Sequence, residues 1–299
     1  MQTLKWLLKR EFWENRGLLF WSNCIVSCLM IIFCIVASFK ADHLFEDATP
    51  TGAMQVAGGS AIISMLLFGM VMIFPLYSYV LGALSDERKD RSILFWKSLP
   101  VSDEKTILAK VVFAVAVFPL VTICCSVLTN YLCLLIICLG HAFRGVNMFA
   151  AVLLYSDLWK PAYNMVINWP VYALWCLPTV GWLLLMSGLL TQRVGLWAVL
   201  GPVGLLLLTG WANHLFGLHL ELRDFAYCIV GRLLFSLVPL SWLMSAAIVR
   251  PNGRETLNRL VDSANSEHWR QLQDWDIWIG AAIGMVMILA AIKIRRWRE

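Results

Sequence analysis

Six stretches of the chain carry no charged side chain: 17–39, 48–85, 111–140, 161–192, 194–220 and 277–292. A helix rises about 1.5 Å per residue, so roughly 20 apolar residues cross the hydrocarbon core of a bilayer. The first five stretches reach that length. The sixth is slightly short, and Trp278 and the aliphatic stem of Lys293 extend it to the interface. The pattern therefore predicts an all-α integral membrane protein with six transmembrane helices. Between the spans, polar and charged residues gather in short blocks, the densest of them at 86–105.

Composition sharpens this reading. The chain is 60% hydrophobic and 14% charged, where a soluble domain carries roughly 25% charged residues. Mean hydropathy is +0.72. The segment before the first span carries Glu11 and Glu14, and the span is long for a cleaved signal, so a retained helix is expected. All nine cysteines fall in apolar stretches without CxxC pairing, as small residues facing lipid or core.

Charge sets the expected orientation. With both termini inside, the inside segments hold 15 of the 24 basic residues and 8 of the 19 acidic ones. Short basic loops stay on the cytoplasmic side. The hairpin between the fourth and fifth spans is tight, carries Arg193 alone as charge, and falls inside. Residues 210–276 are read as an external or re-entrant region. Within it, 225–249 resembles a span interrupted by Arg232 and Pro239. A helical hairpin dipping into the outer leaflet is the preferred reading, because a seventh span would put the Lys293–Arg298 cluster outside. It would also put Arg232 in hydrocarbon. A full span stays open as the alternative. Trp269, Trp275 and Trp278 suit an interfacial belt before the sixth span.

Two elements on the inner side stand out. In 1–16, Leu4, Leu7, Leu8 and Phe12 recur at helical spacing, with Lys5, Lys9, Glu11, Glu14 and Arg16 mostly on other positions. An amphipathic helix on the membrane surface is expected, marked by Leu4, Leu8 and Phe12. The second element is the loop 85–109, which mixes charges of both signs with Phe95 and Trp96. Asp86 to Arg91 can start a helix that Pro100 ends. Ser102 can cap the next helix, which runs into the third span. Aromatic residues beside arginines are typical of interface centres, so the loop reads as a docking surface rather than a solvated connection.

Familiar chemistry is missing from the sequence. No GxxxxGK[ST], GxGxxG or HExxH pattern occurs. His43, His141, His214, His219 and His268 are scattered. Acids and bases are scarce inside the spans, which argues against ion-coupled transport and points to energy supplied by a partner.

The stretch 87–103, Glu-Arg-Lys-Asp-Arg-Ser-Ile-Leu-Phe-Trp-Lys-Ser-Leu-Pro-Val-Ser-Asp, resembles a signature of bacterial ABC-2-type transporter permeases. The general plan is similar over nearly the whole chain, as one permease domain over 1–299. The resemblance implies the membrane subunit of an ATP-driven exporter in the bacterial inner membrane, working as a homodimer or heterodimer. ATP and Mg would be bound by a separate cytosolic ATPase subunit, and this chain would hold no cofactor and catalyse no hydrolysis. By resemblance, Glu87, Arg88, Lys89, Asp90, Arg91, Phe95, Trp96 and Pro100 form the coupling element. Phe95 and Trp96 would enter a groove of the ATPase, with Arg88, Lys89 and Arg91 pairing with its acids. Two other readings remain open: a peptide or antibiotic sensing and resistance module, and a lipid-acting enzyme using His141, Arg144 and Asp157.

Overall fold

The computed structural model describes residues 2–40, 50–90, 101–143, 145, 147, 149–153, 159–217, 230–237 and 271–297. Among them the regular elements are helical throughout: α1 (Gln2–Glu14), α2 (Arg16–Lys40), α3 (Pro50–Lys89), α4 (Asp103–Val112), a π-helical turn (Phe113–Val117) and α5 (Phe118–Ala142). They continue with α6 (Phe149–Leu153), α7 (Lys160–Ile167), α8 (Trp169–Leu189), α9 (Val194–Phe216), α10 (Arg232–Leu234), a 3-10 turn (Gln271–Gln273) and α11 (Trp275–Trp297). Among the described residues six helical stretches are long and apolar enough to cross a membrane: 16–38, 58–89, 103–142, 169–189, 194–216 and 275–297. Hydrocarbon offers the backbone no hydrogen-bond partner, so each crossing closes its own hydrogen bonds as a helix. The chain is an all-α multi-pass membrane protein.

Several boundaries differ from those read in the sequence. The second span does not stop at Ser85 to let a new helix begin at Asp86. Nothing between Leu84 and Asp86 breaks a helix, so α3 runs on to Lys89. Arg88 and Lys89 then lie in its last turn, where the macrodipole favours cations. Ser102 does occupy the N-cap position of α4, with Asp103 and Glu104 in the first turn. Its side chain makes no capping hydrogen bond. The stretch 161–192 is broken at Asn168, because Pro170 opens α8 and lacks the amide that a continuous helix would need. The last span is longer than its uncharged stretch and reaches Trp297.

The chain divides into two compact units. The first comprises 1–15, 76–117 and 168–299. Its spine is the pair α8 and α11, which approach closely because glycines face each other. A Cβ on Gly284 would fall 2.5 Å from the carbonyl carbon of Leu177 and 2.7 Å from the nitrogen of Pro178. One on Gly181 would fall 2.5 Å from the Gly284 carbonyl oxygen. Small residues let backbones meet in this way inside membranes. Helix α9 folds back on α8 through a short turn in which Arg193 takes the left-handed conformation, φ 51°. Trp182 Nε1 donates to the Ala198 carbonyl at 2.9 Å and holds that hairpin.

Helix α8 also seats α10. Thr179 Oγ1 donates to the Arg232 carbonyl at 3.0 Å, and Tyr172 Oη donates to that of Leu237 at 3.1 Å. The Arg232 guanidinium, the costly group in the sequence, is buried. It stacks on the Trp175 ring, 3.8 Å from the centroid, and donates to the Asp276 carbonyl at 2.9 Å. Among the described residues, an aromatic face and a backbone carbonyl meet the cation. The rest of 225–249, including Pro239, lies outside the described residues.

The second unit comprises 16–75 and 118–167. Here α2 packs along α5. Ser27 Oγ and Thr129 Oγ1 lie 2.8 Å apart, and Gly140 leaves room for the Ser38 side chain. The N-terminal part of α3 meets α5 at Ser64 and Ser126, whose hydroxyls lie 3.0 Å apart.

Candidate functional site: a buried ion cluster

The cluster lies in the first unit and is built by four helices. Helix α1 turns Leu7 and Glu11 inward together, since i and i+4 share a face. Leu4, Leu8 and Phe12 are half-buried, while Trp6 and Trp13 are exposed. The amphipathic helix is therefore present over 2–14, but its buried stripe contains an acid. Glu11 is 1% exposed, where the sequence reading had set it among the polar positions. Its spacing from Leu7 and Leu8 is the signal that could have revealed it.

Three cations and three acids meet there. Lys110 Nζ of α4 lies 3.0 Å from Glu11 Oε1 and 3.0 Å from Glu87 Oε1 of α3. Arg10 Nη2 lies 2.6 Å from Glu11 Oε1 and 3.4 Å from Glu87 Oε1. Arg295 of α11 reaches Glu87 Oε2 at 2.9 Å and Asp103 Oδ1 at 3.1 Å. Tyr79 Oη donates to Glu11 Oε2 at 2.8 Å. Lys110 and Arg295 are almost as buried as Glu11. Such groups are tolerated out of water only when paired and hydrogen-bonded. Glu14, half exposed, adds a further acid 3.4 Å from Arg10 Nε.

Burial pushes the Glu11 carboxyl up, but Lys110 and Arg10 attract its charge, and Lys110 and Tyr79 donate hydrogen bonds to it. The outcome lies below the ordinary value of 4.5. Glu14 moves the other way, because burial raises it and Arg10 offsets this incompletely. A carboxylate lowered in the folded state stabilises the fold above its unfolded value and loses that contribution as pH falls through the lowered one. We expect the thermal unfolding midpoint of the purified protein to hold between pH 7 and about 5 and to drop below about 4.5. In Glu11→Gln the same acid step should be shallower. An identical step would place its origin elsewhere.

The sequence-derived coupling residues divide between inside and outside. Glu87 is in the cluster. Arg88 points inward as well: its Nη2 donates to the carbonyls of Ser187 and, at 3.0 Å, Leu190 at the end of α8. Ser187 Oγ accepts from the Leu84 and Ser85 amides at 3.0 Å and donates to the Leu81 carbonyl at 2.6 Å. Lys89 and Asp90 are exposed, and Lys89 pairs with Asp86 at 2.9 Å. Arg91, Phe95, Trp96 and Pro100 lie outside the described residues. Of the residues considered for lipid chemistry, His141 is buried on α5, and Arg144 and Asp157 lie outside the described residues. Among the described residues no group of three or more His, Cys, Asp or Glu side chains is arranged to hold a metal ion.

The arrangement is close to charge-balanced and filled by its own side chains, so it is built to hold helices together rather than to bind a free ion. It joins the two stems of the 91–100 segment, through Glu87 and Asp103, to α1 and α11. Compared with known proteins, the chain matches no family model, no curated protein and no solved structure.

Proposed function

We propose that this protein is the membrane permease subunit of an ATP-driven transporter, with the 91–100 segment as the element on which a separate ATPase acts. The observation that carries this reading is the buried ion cluster. A push on the 91–100 segment moves a span only if the helices at its two ends are held rigidly. Here Glu87 and Asp103 share Arg295, and Glu87 shares Lys110 and Arg10 with α1. Arg88 locks the same stem to α8. Force on the loop would therefore reach α1, α4, α8 and α11 together. In this reading the termini are cytoplasmic, the membrane is the bacterial inner membrane, the direction is export, and a dimer of permease subunits forms the path.

Phe95 and Trp96 then contact the partner. Truncating a central aromatic in such an interface costs at least about 2 kcal/mol, roughly thirtyfold in affinity. Trp96→Ala is expected to weaken ATPase binding by that factor in a pull-down or calorimetric titration, with membrane insertion unchanged. Lys97→Ala, a rim change, should cost about 0–1 kcal/mol. Wild-type affinity for Trp96→Ala, or failure of the chain to stimulate or co-purify with an ATPase, would reject the reading. A reporter fused after Arg298 should read cytoplasmic.

A further inference from the structure

The ion cluster leaves the second unit without an assigned role, and that unit carries a two-part recess. Its inner part is about 20 Å³, lined by Ala61, Met65, Ser126, Asn130, Tyr131 and Trp159 among others. That is room for one water-sized group. Its outer part, about 590 Å³, is apolar and opens along Val127, Leu128, Tyr131, Trp159, Ala162 and Tyr163. Small-molecule sites span roughly 300–1,000 Å³. Val127, Tyr131, Trp159 and Ala162 belong to both parts, so one molecule can occupy the two together. The Tyr131 and Trp159 rings stack at 6.2 Å and form the shared wall.

The inner part is polar on one side. Ser64 and Ser126 satisfy each other. Asn130, one helical turn beyond Ser126, is 5% exposed, and its Oδ1 has no hydrogen-bond partner among the described residues. A buried amide oxygen in hydrocarbon is costly until a donor reaches it. The described residues that line the outer groove include no charged side chain, so none of them offers a charged head a counter-charge.

We propose that this recess binds a single-chain lipid bearing a hydroxyl group, with the hydroxyl on Asn130 and the alkyl chain along the Trp159–Tyr163 groove. A hydroxyl both donates and accepts, so it serves the amide whichever way its oxygen is turned. A tail alone would leave Asn130 unsatisfied. An ionised head would lose its water without gaining a counter-charge from the described lining. The site does not depend on an ATPase partner.

The test uses the full-length protein in phosphatidylcholine nanodiscs and a diazirine-bearing hexadecanol as photoprobe, with labelled peptides mapped. Label is expected on the peptides containing Tyr131 and Tyr163. Hexadecanol should displace it at about fivefold lower membrane concentration than hexadecane, the worth of one neutral hydrogen bond. Asn130→Leu should make the two competitors equal while label persists. Ala162→Trp, which fills the outer groove, should cut the label at least fivefold at an unchanged unfolding midpoint. Equal displacement by alcohol and alkane in the unmodified protein overturns the proposal, leaving a plain lipid surface with water on Asn130. So does label spread evenly over all spans, or label unchanged in Ala162→Trp. Protection from label together with a Cys124–Cys124 crosslink would assign the groove to a second copy and overturn it too.

Discussion

Replacing Glu87 with alanine is expected to destabilise the folded protein by about 3–5 kcal/mol, the cost of stranding buried charge. Glu87 contacts Arg10, Lys110 and Arg295 within 3.4 Å. Two of these cations are almost fully buried. Glu87→Gln keeps the shape and one acceptor and should cost less. Lys110→Met in the Glu87→Ala background should recover part of the loss, because one stranded charge is removed with its partner. The measurement is chemical unfolding in mixed micelles for the single and double variants. A loss under about 1 kcal/mol for Glu87→Ala would give the pair the weight of an exposed salt bridge. The cluster could not then be the rigid joint that the transport reading needs. If the stability loss appears and the ATPase response is unchanged, the cluster is a structural joint and the coupling proposal fails by itself.

Gly284→Val is expected to separate α8 from α11. The atoms that a Cβ would strike belong to the backbone at Leu177 and Pro178, so no rotamer change relieves the clash. Overpacking of a close site costs about 1–3 kcal/mol and sometimes more. Here the helices that lose contact also carry Arg295 and the Ser187–Leu190 carbonyls that receive Arg88. The expected readout is a lower unfolding midpoint and faster protease cleavage. Gly204→Ala is the control. Nothing lies within 4 Å of a Cβ there, and alanine in a helix is worth up to about 1 kcal/mol over glycine. A Gly284→Val protein as stable as Gly204→Ala would show that the close approach is not needed. Gly280→Ala should act through Arg232, since an added Cβ would meet the guanidinium and displace it from the Trp175 ring.

The spans, the amphipathic helix and the helix start at Asp103 were all legible along the chain. Each depends on neighbours within a few turns: apolar length against bilayer thickness, i and i+4 spacing, acids in a first turn. The break at Asn168 was also local, because Pro170 is visible in the sequence, yet hydropathy alone passed over it. Gly280 and Gly284 form a small-xxx-small pair that marks a close helix crossing, but the pattern does not name the helix that it meets. The partner, α8 at Gly181, came from the fold.

The charge cluster was not legible, although every member was visible as a charged residue. Arg10 and Glu87 are 77 positions apart, and Arg295 and Asp103 are 192 apart. A charge written in the sequence says that a group prefers water or a counter-ion, and not which of the two it receives. Glu87 and Arg88 looked like exposed loop residues because charges usually are exposed. Helix packing turned both inward, where burial made pairing obligatory. Arg232 shows the same division: its charge in an apolar stretch marked a cost, and only the packing of α8 and α11 supplied the tryptophan face and carbonyl that meet it. Hydrophobic length along one chain is enough to decide what crosses a membrane. Which buried charges find each other is decided by helix packing, because Coulomb attraction and desolvation depend on distance in space and not along the sequence.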